Sequence, residues 1–133
     1  MKKESDMLDF FNKITDKTPY RFPAEWNAQV VLIVDGVAIT ISFSNGSVLF
    51  QAEESSNPES IIHLSDERIC SYIDGTIDFM SVWRELAEPS ATDRTYIKKG
   101  SGAKFFTLID VFIKQYKKDA GFRKMVDDYK AGL

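Results

Sequence analysis

The chain is poor in the residues that build covalent and metal frameworks. It has one cysteine, Cys70, and one histidine, His63. A lone cysteine excludes an intrachain disulfide framework and a thiolate zinc site, and a lone histidine excludes a histidine-rich metal centre. No stretch approaches the ~18 uninterrupted apolar residues of a membrane span. The opening Met1 to Asp6, MKKESD, lacks the apolar region of a signal peptide. Together these absences imply a cytoplasmic protein. Positive charge is not in excess either: 17 Lys and Arg face 20 Asp and Glu, a net charge of −3. A nucleic-acid partner is therefore not expected. Internal repeats and low-complexity segments are absent as well.

Aromatic residues, by contrast, are plentiful, with ten Phe, five Tyr and two Trp in 133 residues. That length fits a single domain spanning 1–133, able to bury roughly two thirds of its unfolded surface. So many rings require either a core or a cavity.

The clearest local signal is a meander. Val30 to Val34 is an apolar run that ends at Asp35-Gly36, and Val37 to Ser44 alternates apolar with small polar residues up to Asn45-Gly46. Ser47 to Ala52 alternates again. Asp-Gly and Asn-Gly tolerate the positive φ angles of two-residue hairpin turns. Such turns pair Val34 with Val37 and Ser44 with Ser47, and directly opposed side chains share a face. Both turns then agree: Val30, Leu32, Val34, Val37, Ile39, Ile41, Phe43, Val48, Phe50 and Ala52 fall on one face. Thr40, Ser42, Ser44, Ser47 and Gln51 fall on the other.

Helical spacing of Met7, Leu8, Phe11 and Ile14 predicts a helix over 5–15, with Ser5 as its N-cap. Ile61 to Leu64 reads as a fourth strand running into Ser65, an N-cap, with Asp66 and Glu67 in the first helical turn. That helix ends at Gly75. A second short helix, 77–86, is expected to bury Phe79, Met80 and Trp83. A loop through Pro89 to Asp93 leads to a fifth strand, Arg94 to Lys99. Gly100-Ser101-Gly102 then opens a long helix whose apolar stripe includes Phe105, Leu108, Ile109, Phe112, Ile113 and Tyr116. Gly121 separates it from a last helix, 122–130. The order of elements predicts an α+β fold, with helices on the apolar face of one sheet.

No catalytic constellation emerges. His63 and Cys70 lack the orienting third group that a nucleophilic pair needs. Of the candidate acid/base groups Asp66, Glu67 and Asp74, the first two are accounted for by helix capping, and no carboxylate is stranded in an apolar run, where its pKa would rise. No cofactor, catalytic residue or metal ligand is assigned. The stretch Gly100 to Lys104 lacks the spacing of a nucleotide phosphate loop. It does combine small residues, a helix start and the charges of Arg94, Lys98, Lys99 and Lys104, which is the chemistry of an anion site.

From Val30 to Phe112 the chain resembles the sterol carrier protein 2-like domains, a lipid-transfer family. The resemblance rests on the meander, on Leu64-Ser65-Asp66-Glu67, on Gly75 followed by Ile77-Asp78-Phe79-Met80, and on Tyr96-Ile97-Lys98-Lys99-Gly100 followed by Ala103. Two features depart from the family: Ser101 stands where an acidic residue is usual, and Ala87 to Asp93 is inserted near where members open their cavity. The C-terminal Ala131-Gly132-Leu133 lacks the basic residue of the family's peroxisomal tripeptide.

The resemblance implies a five-stranded, largely antiparallel sheet with helices on one face and an apolar tunnel between them. Ligands of the family are fatty acids, acyl-CoA, phospholipids and sterols, bound without catalysis. For this chain it implies a lipid or acyl-CoA ligand lined by Ile41, Phe50, Phe79, Met80, Trp83, Phe105, Phe106, Ile109 and Phe112. The anionic head is expected at Lys98, Lys99, Gly100, Ser101, Gly102 and Lys104. The alternative is a ligand-free protein–protein interaction domain, whose apolar stripe forms the core and a homodimer surface.

Overall fold

Both hairpin turns adopt the left-handed backbone that their sequences favour. Asp35 and Gly36 have φ of +50° and +84°, and Asn45 and Gly46 have +52° and +82°, as a type I′ turn requires. In this computed structural model, which describes residues 4–87 and 94–133, the turns set the expected register. Strand β1 (Ala28–Val34) pairs antiparallel with β2 (Val37–Ser44), placing Val30 opposite Ile41, Leu32 opposite Ile39 and Val34 opposite Val37. Strand β3 (Ser47–Gln51) continues the meander, with Phe43 opposite Val48 and Ile41 opposite Phe50. Ala52 lies beyond β3 and is exposed, so the apolar face ends at Phe50.

Strand β4 (Ser60–Leu64) lies parallel to β1, and β5 (Tyr96–Lys99) closes the far edge antiparallel to β4, giving the order β3-β2-β1-β4-β5. The sheet is thus five-stranded and mostly antiparallel. To reach its parallel position, the chain from 52 to 59 crosses the outer face. Its Ser55 hydroxyl donates to Gln29 Oε1 at 2.6 Å, and Ser55 N donates to Thr40 Oγ1 at 3.0 Å. Beneath this crossing Val31 and Thr40 are 0% and 2% exposed. The predicted polar face is therefore partly roofed.

The inner face is covered by helices α1 (Glu4–Asp16), α2 (Asp66–Asp74), α4 (Ala103–Lys118) and α5 (Ala120–Ala131), with a short α3 (Val82–Ala87) at the side. Met7, Phe11, Leu32, Ile39, Phe43, Ile62, Phe105, Phe112 and Phe122 meet in one apolar cluster. Ser65 caps α2 by accepting from Arg68 N at 3.0 Å, and Gly75 ends it at φ +84°. Ser5, by contrast, lies inside α1, which begins one residue earlier. Strand β5 starts at Tyr96 rather than Arg94. Gly121 lies within α5, because Asp119 supplies the cap by accepting from Phe122 N at 3.1 Å. The inserted segment 88–93 lies outside the described residues.

Two glycines test the backbone argument. At Gly36, φ is +84° and an added methyl would meet no atom, whereas at Gly100, φ is +73° and the methyl would sit 2.1 Å from the Glu59 carbonyl oxygen. Gly36→Ala should therefore cost about 1–2 kcal/mol of left-handed strain. Gly100→Ala should cost more, about 2–4 kcal/mol. Urea denaturation of the two variants should separate them in that order; equal losses would mean that the β5–α4 connection yields freely.

Candidate functional site

The residues expected to line a tunnel divide into two groups. Ile41, Phe50, Phe105, Phe106, Ile109 and Phe112 are buried members of the apolar cluster and fill the space between sheet and helices. Phe79 is half-buried, while Met80 and Trp83 are 67% and 58% exposed. The expectation that helix 77–86 buries all three is corrected by its geometry. Residues Phe79–Ser81 form a 3-10 turn, capped when Asp78 Oδ1 accepts from Met80 N at 3.1 Å, and it runs into α3. At about three residues per turn, Phe79 and Val82 share the inward side, and Met80 and Trp83 share the outward side.

An open groove of about 550 Å³ lies where this turn faces α4. Its walls are Tyr72, Ile73, Asp74 and Gly75 from the end of α2, Ile77 to Met80, and Asp110, Ile113, Tyr116 and Lys117 from α4, with Arg123 from α5. Ile77, Phe79, Met80 and Ile113 provide an apolar lining. From the groove an aromatic series runs outward: Tyr72 lies 5.3 Å from Phe79, Phe79 lies 5.8 Å from Phe106, and Trp83 lies 5.6 Å from Phe106. Trp83 and Met80 thus form an exposed apolar lip.

Glu85 holds this lip in place. Its Oε1 accepts from Arg68 Nε at 2.6 Å, from Thr95 N at 2.9 Å and from the Tyr72 hydroxyl at 2.8 Å. With the Tyr72 proton directed to Glu85, the Thr95 hydroxyl at 2.6 Å donates to Tyr72. Arg94 Nη1 donates to the Glu85 carbonyl at 3.0 Å. One carboxylate therefore ties α3 to α2 and to the start of β5. Burial alone would raise its pKa, but hydrogen bonds from Arg68, Thr95 and Tyr72 outweigh burial and hold it below the usual range. Burial, with Glu85 beside it, pushes the Tyr72 phenol up to about 12.

The basic end of α4 is already occupied by the protein itself. Lys104 Nζ is 2.9 Å from both carboxylate oxygens of Glu59 and 5.4 Å from the Trp26 ring centre. Ala103 N donates to Ser101 Oγ at 3.1 Å, and the Ser60 hydroxyl donates to the Ser101 carbonyl. Gly102 is buried, and an added methyl there would strike the Phe106 ring at 2.5 Å. Lys98, Lys99 and Gly100 are exposed. The structure gathers these residues at one place, but Lys104 and the Ala103 amide have partners.

His63 and Cys70 lie on opposite sides of the sheet. His63 stacks on Tyr96 on the outer face, 4.5 Å between centroids and 11° between planes, whereas Cys70 is on the buried side of α2. Burial and Lys98 lower the His63 pKa, and burial drives the Cys70 thiol well up. Among the described residues no group of three or more His, Cys, Asp or Glu could hold a metal ion, and no helix is long and apolar enough to cross a membrane.

Two buried carboxylates escaped the sequence reading. Asp66 is not only a helix-start residue: it is 1% exposed and accepts from the Tyr129 hydroxyl. Glu85 gives little local warning. The available signal was on α2, where Arg68 and Tyr72 stand at i,i+4 and present two donors on one helix face.

No family model matches the chain, and no curated protein matches it. Solved structures do. One described as a UbiJ-SCP2 ubiquinone synthesis protein superposes with a TM-score of 0.60, covering 90% of this chain and 99% of that one at 11% identity. The fold resembles that of the sterol carrier protein 2-like domains. A second structure, from Thermus thermophilus and described as a candidate sterol carrier protein, gives a TM-score of 0.48 at 15% identity, over 86% and 89% of the two chains. In this fold the groove beside α3 is an open depression between the end of α2, the 3-10 turn and α4.

Removal of the Glu85 carboxylate should expose its importance. Glu85→Ala removes the acceptor shared by Arg68, Tyr72 and the Thr95 amide and should cost about 1–3 kcal/mol. Because the folded pKa of Glu85 is depressed, its contribution is complete above the unfolded value of about 4.3 and is lost as pH falls through the folded value. Chemical denaturation from neutral pH to about pH 3 should therefore show a steeper acid loss for the native protein than for Glu85→Gln. Parallel curves would place that acid sensitivity elsewhere.

Proposed function

We propose that the protein binds a lipid or similarly elongated apolar molecule, without converting it, in the groove between Ile77–Met80 and α4. The observation that carries this reading is an apolar-lined groove of about 550 Å³ bordered by solvent-exposed Met80 and Trp83. Its volume lies within the range of small-molecule sites. Large apolar side chains held in water beside such a groove lose free energy that a ligand's alkyl chain recovers, at about 25 cal/mol per Å² covered. The fold likeness to the UbiJ-SCP2 structure supports the same reading.

Within the residues first assigned to a lipid site, this reading gives direct contact to Phe79 and Met80. Trp83 and Phe106 extend the lip, and Ile41, Phe50, Phe105, Ile109 and Phe112 support it from the core. Binding rather than turnover is favoured because the side chains nearest the groove are committed: Tyr72 and Glu85 to each other, and Tyr116 to Asp127 at 2.8 Å.

Dodecanol titrated by calorimetry should bind with a micromolar dissociation constant, about −8 kcal/mol. In a Trp26→Phe background the same titration should change Trp83 fluorescence. Ile113→Asp, on the groove wall, should weaken binding at least tenfold, with a lowered but still cooperative melting transition, since Ile113 also packs against the core. Absence of binding by dodecanol, or binding indifferent to Ile113→Asp, would overturn the assignment.

A further inference from the structure

The groove that we assign to an apolar ligand also carries information about the ligand's polar end, and the inference below rests on that assignment. Two helices direct their C-terminal ends toward it. The last residues of α2, Ile73 and Asp74, and the last turn of α4, Tyr116 and Lys117, both belong to its wall. A helix C-terminus has negative character, equivalent to about half an elementary charge. The N-terminus of α5 nearby is closed, because Asp119 accepts from Phe122 N at 3.1 Å. That cap keeps the α5 amides from serving an anion there.

Side-chain charge does not reverse this field. Asp74 is paired with Lys130 at 2.8 Å, and Asp110 with Lys114 at 2.9 Å. Arg123 lines the groove, and its Nη1 donates to the carbonyls of Tyr116 and Lys117 at 3.0 and 3.1 Å, which directs that nitrogen to the end of α4. Lys117 remains, exposed to solvent in that same last turn, and the exposed Asp78 on the opposite wall offsets it. A carboxylate or phosphate entering this groove gives up hydration and meets the carboxylates of Asp74, Asp78 and Asp110 and two helix C-termini, against the cations of Lys117 and Arg123. A hydroxyl or carbonyl head gives up less and meets several acceptors and donors.

We propose that the groove selects apolar molecules with an uncharged polar end and discriminates against fatty-acid carboxylates and alkyl phosphates. This places the ligand class away from the acyl anions and acyl-CoA that the sequence resemblance alone suggests. It also separates the ligand site from the lysine cluster of residues 98–104, which lies at the opposite end of α4.

The test compares probes of one chain length at neutral pH: dodecanol, methyl dodecanoate, dodecanoate and dodecyl phosphate, each by calorimetry. Dodecanol and the methyl ester should bind at least tenfold more tightly than either anion. Asp110→Lys, which replaces an anion of the groove wall by a cation, should narrow the dodecanol–dodecanoate gap severalfold. Lys104→Ala should leave all four affinities unchanged. Dodecanoate binding within about threefold of dodecanol would refute the selectivity while leaving the binding assignment intact. A gap that persists in Asp110→Lys would refute rim electrostatics as its cause. Failure of every probe to bind would overturn the binding assignment itself, and this inference with it.

Discussion

Strand side chains alternate with a period of two, and each meander turn contains two residues, so the parity of every strand is fixed by its neighbour. A shift of one residue at Asp35-Gly36 would turn Ile39, Ile41 and Phe50 away from the face that Val30, Leu32 and Val34 share, and a shift at Asn45-Gly46 would turn Phe50 away from it. The left-handed backbone at Asp35-Gly36 and Asn45-Gly46 is therefore the constraint on which the layer arrangement rests. Once it is set, one face is apolar throughout β1, β2 and β3. Burial of α1, α2, α4 and α5 against that face follows from the hydrophobic effect.

The groove depends on a different kind of interaction. Helix α3 has six residues, too few to hold its place by helix formation alone. It is held instead by a carboxylate with donors from α2 and from the start of β5. Buried ionic contacts of this type contribute little net stability, since desolvation offsets most of their attraction. Their contribution here is positional. With Glu85 anchored, Phe79 turns toward Phe106 and Tyr72, and Met80 and Trp83 are left in solvent at the groove's edge.

The meander could be read from the sequence because its determinants are local: Asp-Gly, Asn-Gly and strict alternation act within a few residues. The same holds for the cap at Ser65 and the stop at Gly75. The parallel placement of β4 beside β1 had no local determinant, being imposed by the crossing of 52–59 over Gln29 and Thr40. At the site, the sequence picked out Phe79, Met80 and Trp83 as a group but assigned them all to the interior. The short 3-10 turn changes the side-chain period from 3.6 to about three and divides them between inside and outside. For Lys104, the partner that occupies it, Glu59, lies far away in sequence and left no local signal.

The two borders of the sheet are treated differently from its middle. On β3, the Asn12 side chain of α1 accepts from Phe50 N and donates to Phe50 O, both at 3.1 Å, and Phe22 N donates to Gly46 O at 3.0 Å. The backbone of that border is thus occupied from within the same chain at Phe50 and at the turn that precedes β3. The opposite border, β5, is four residues long and carries Lys98 and Lys99, both of which discourage pairing with another strand. Each border of the sheet therefore carries a feature that disfavours edge-to-edge growth by another strand.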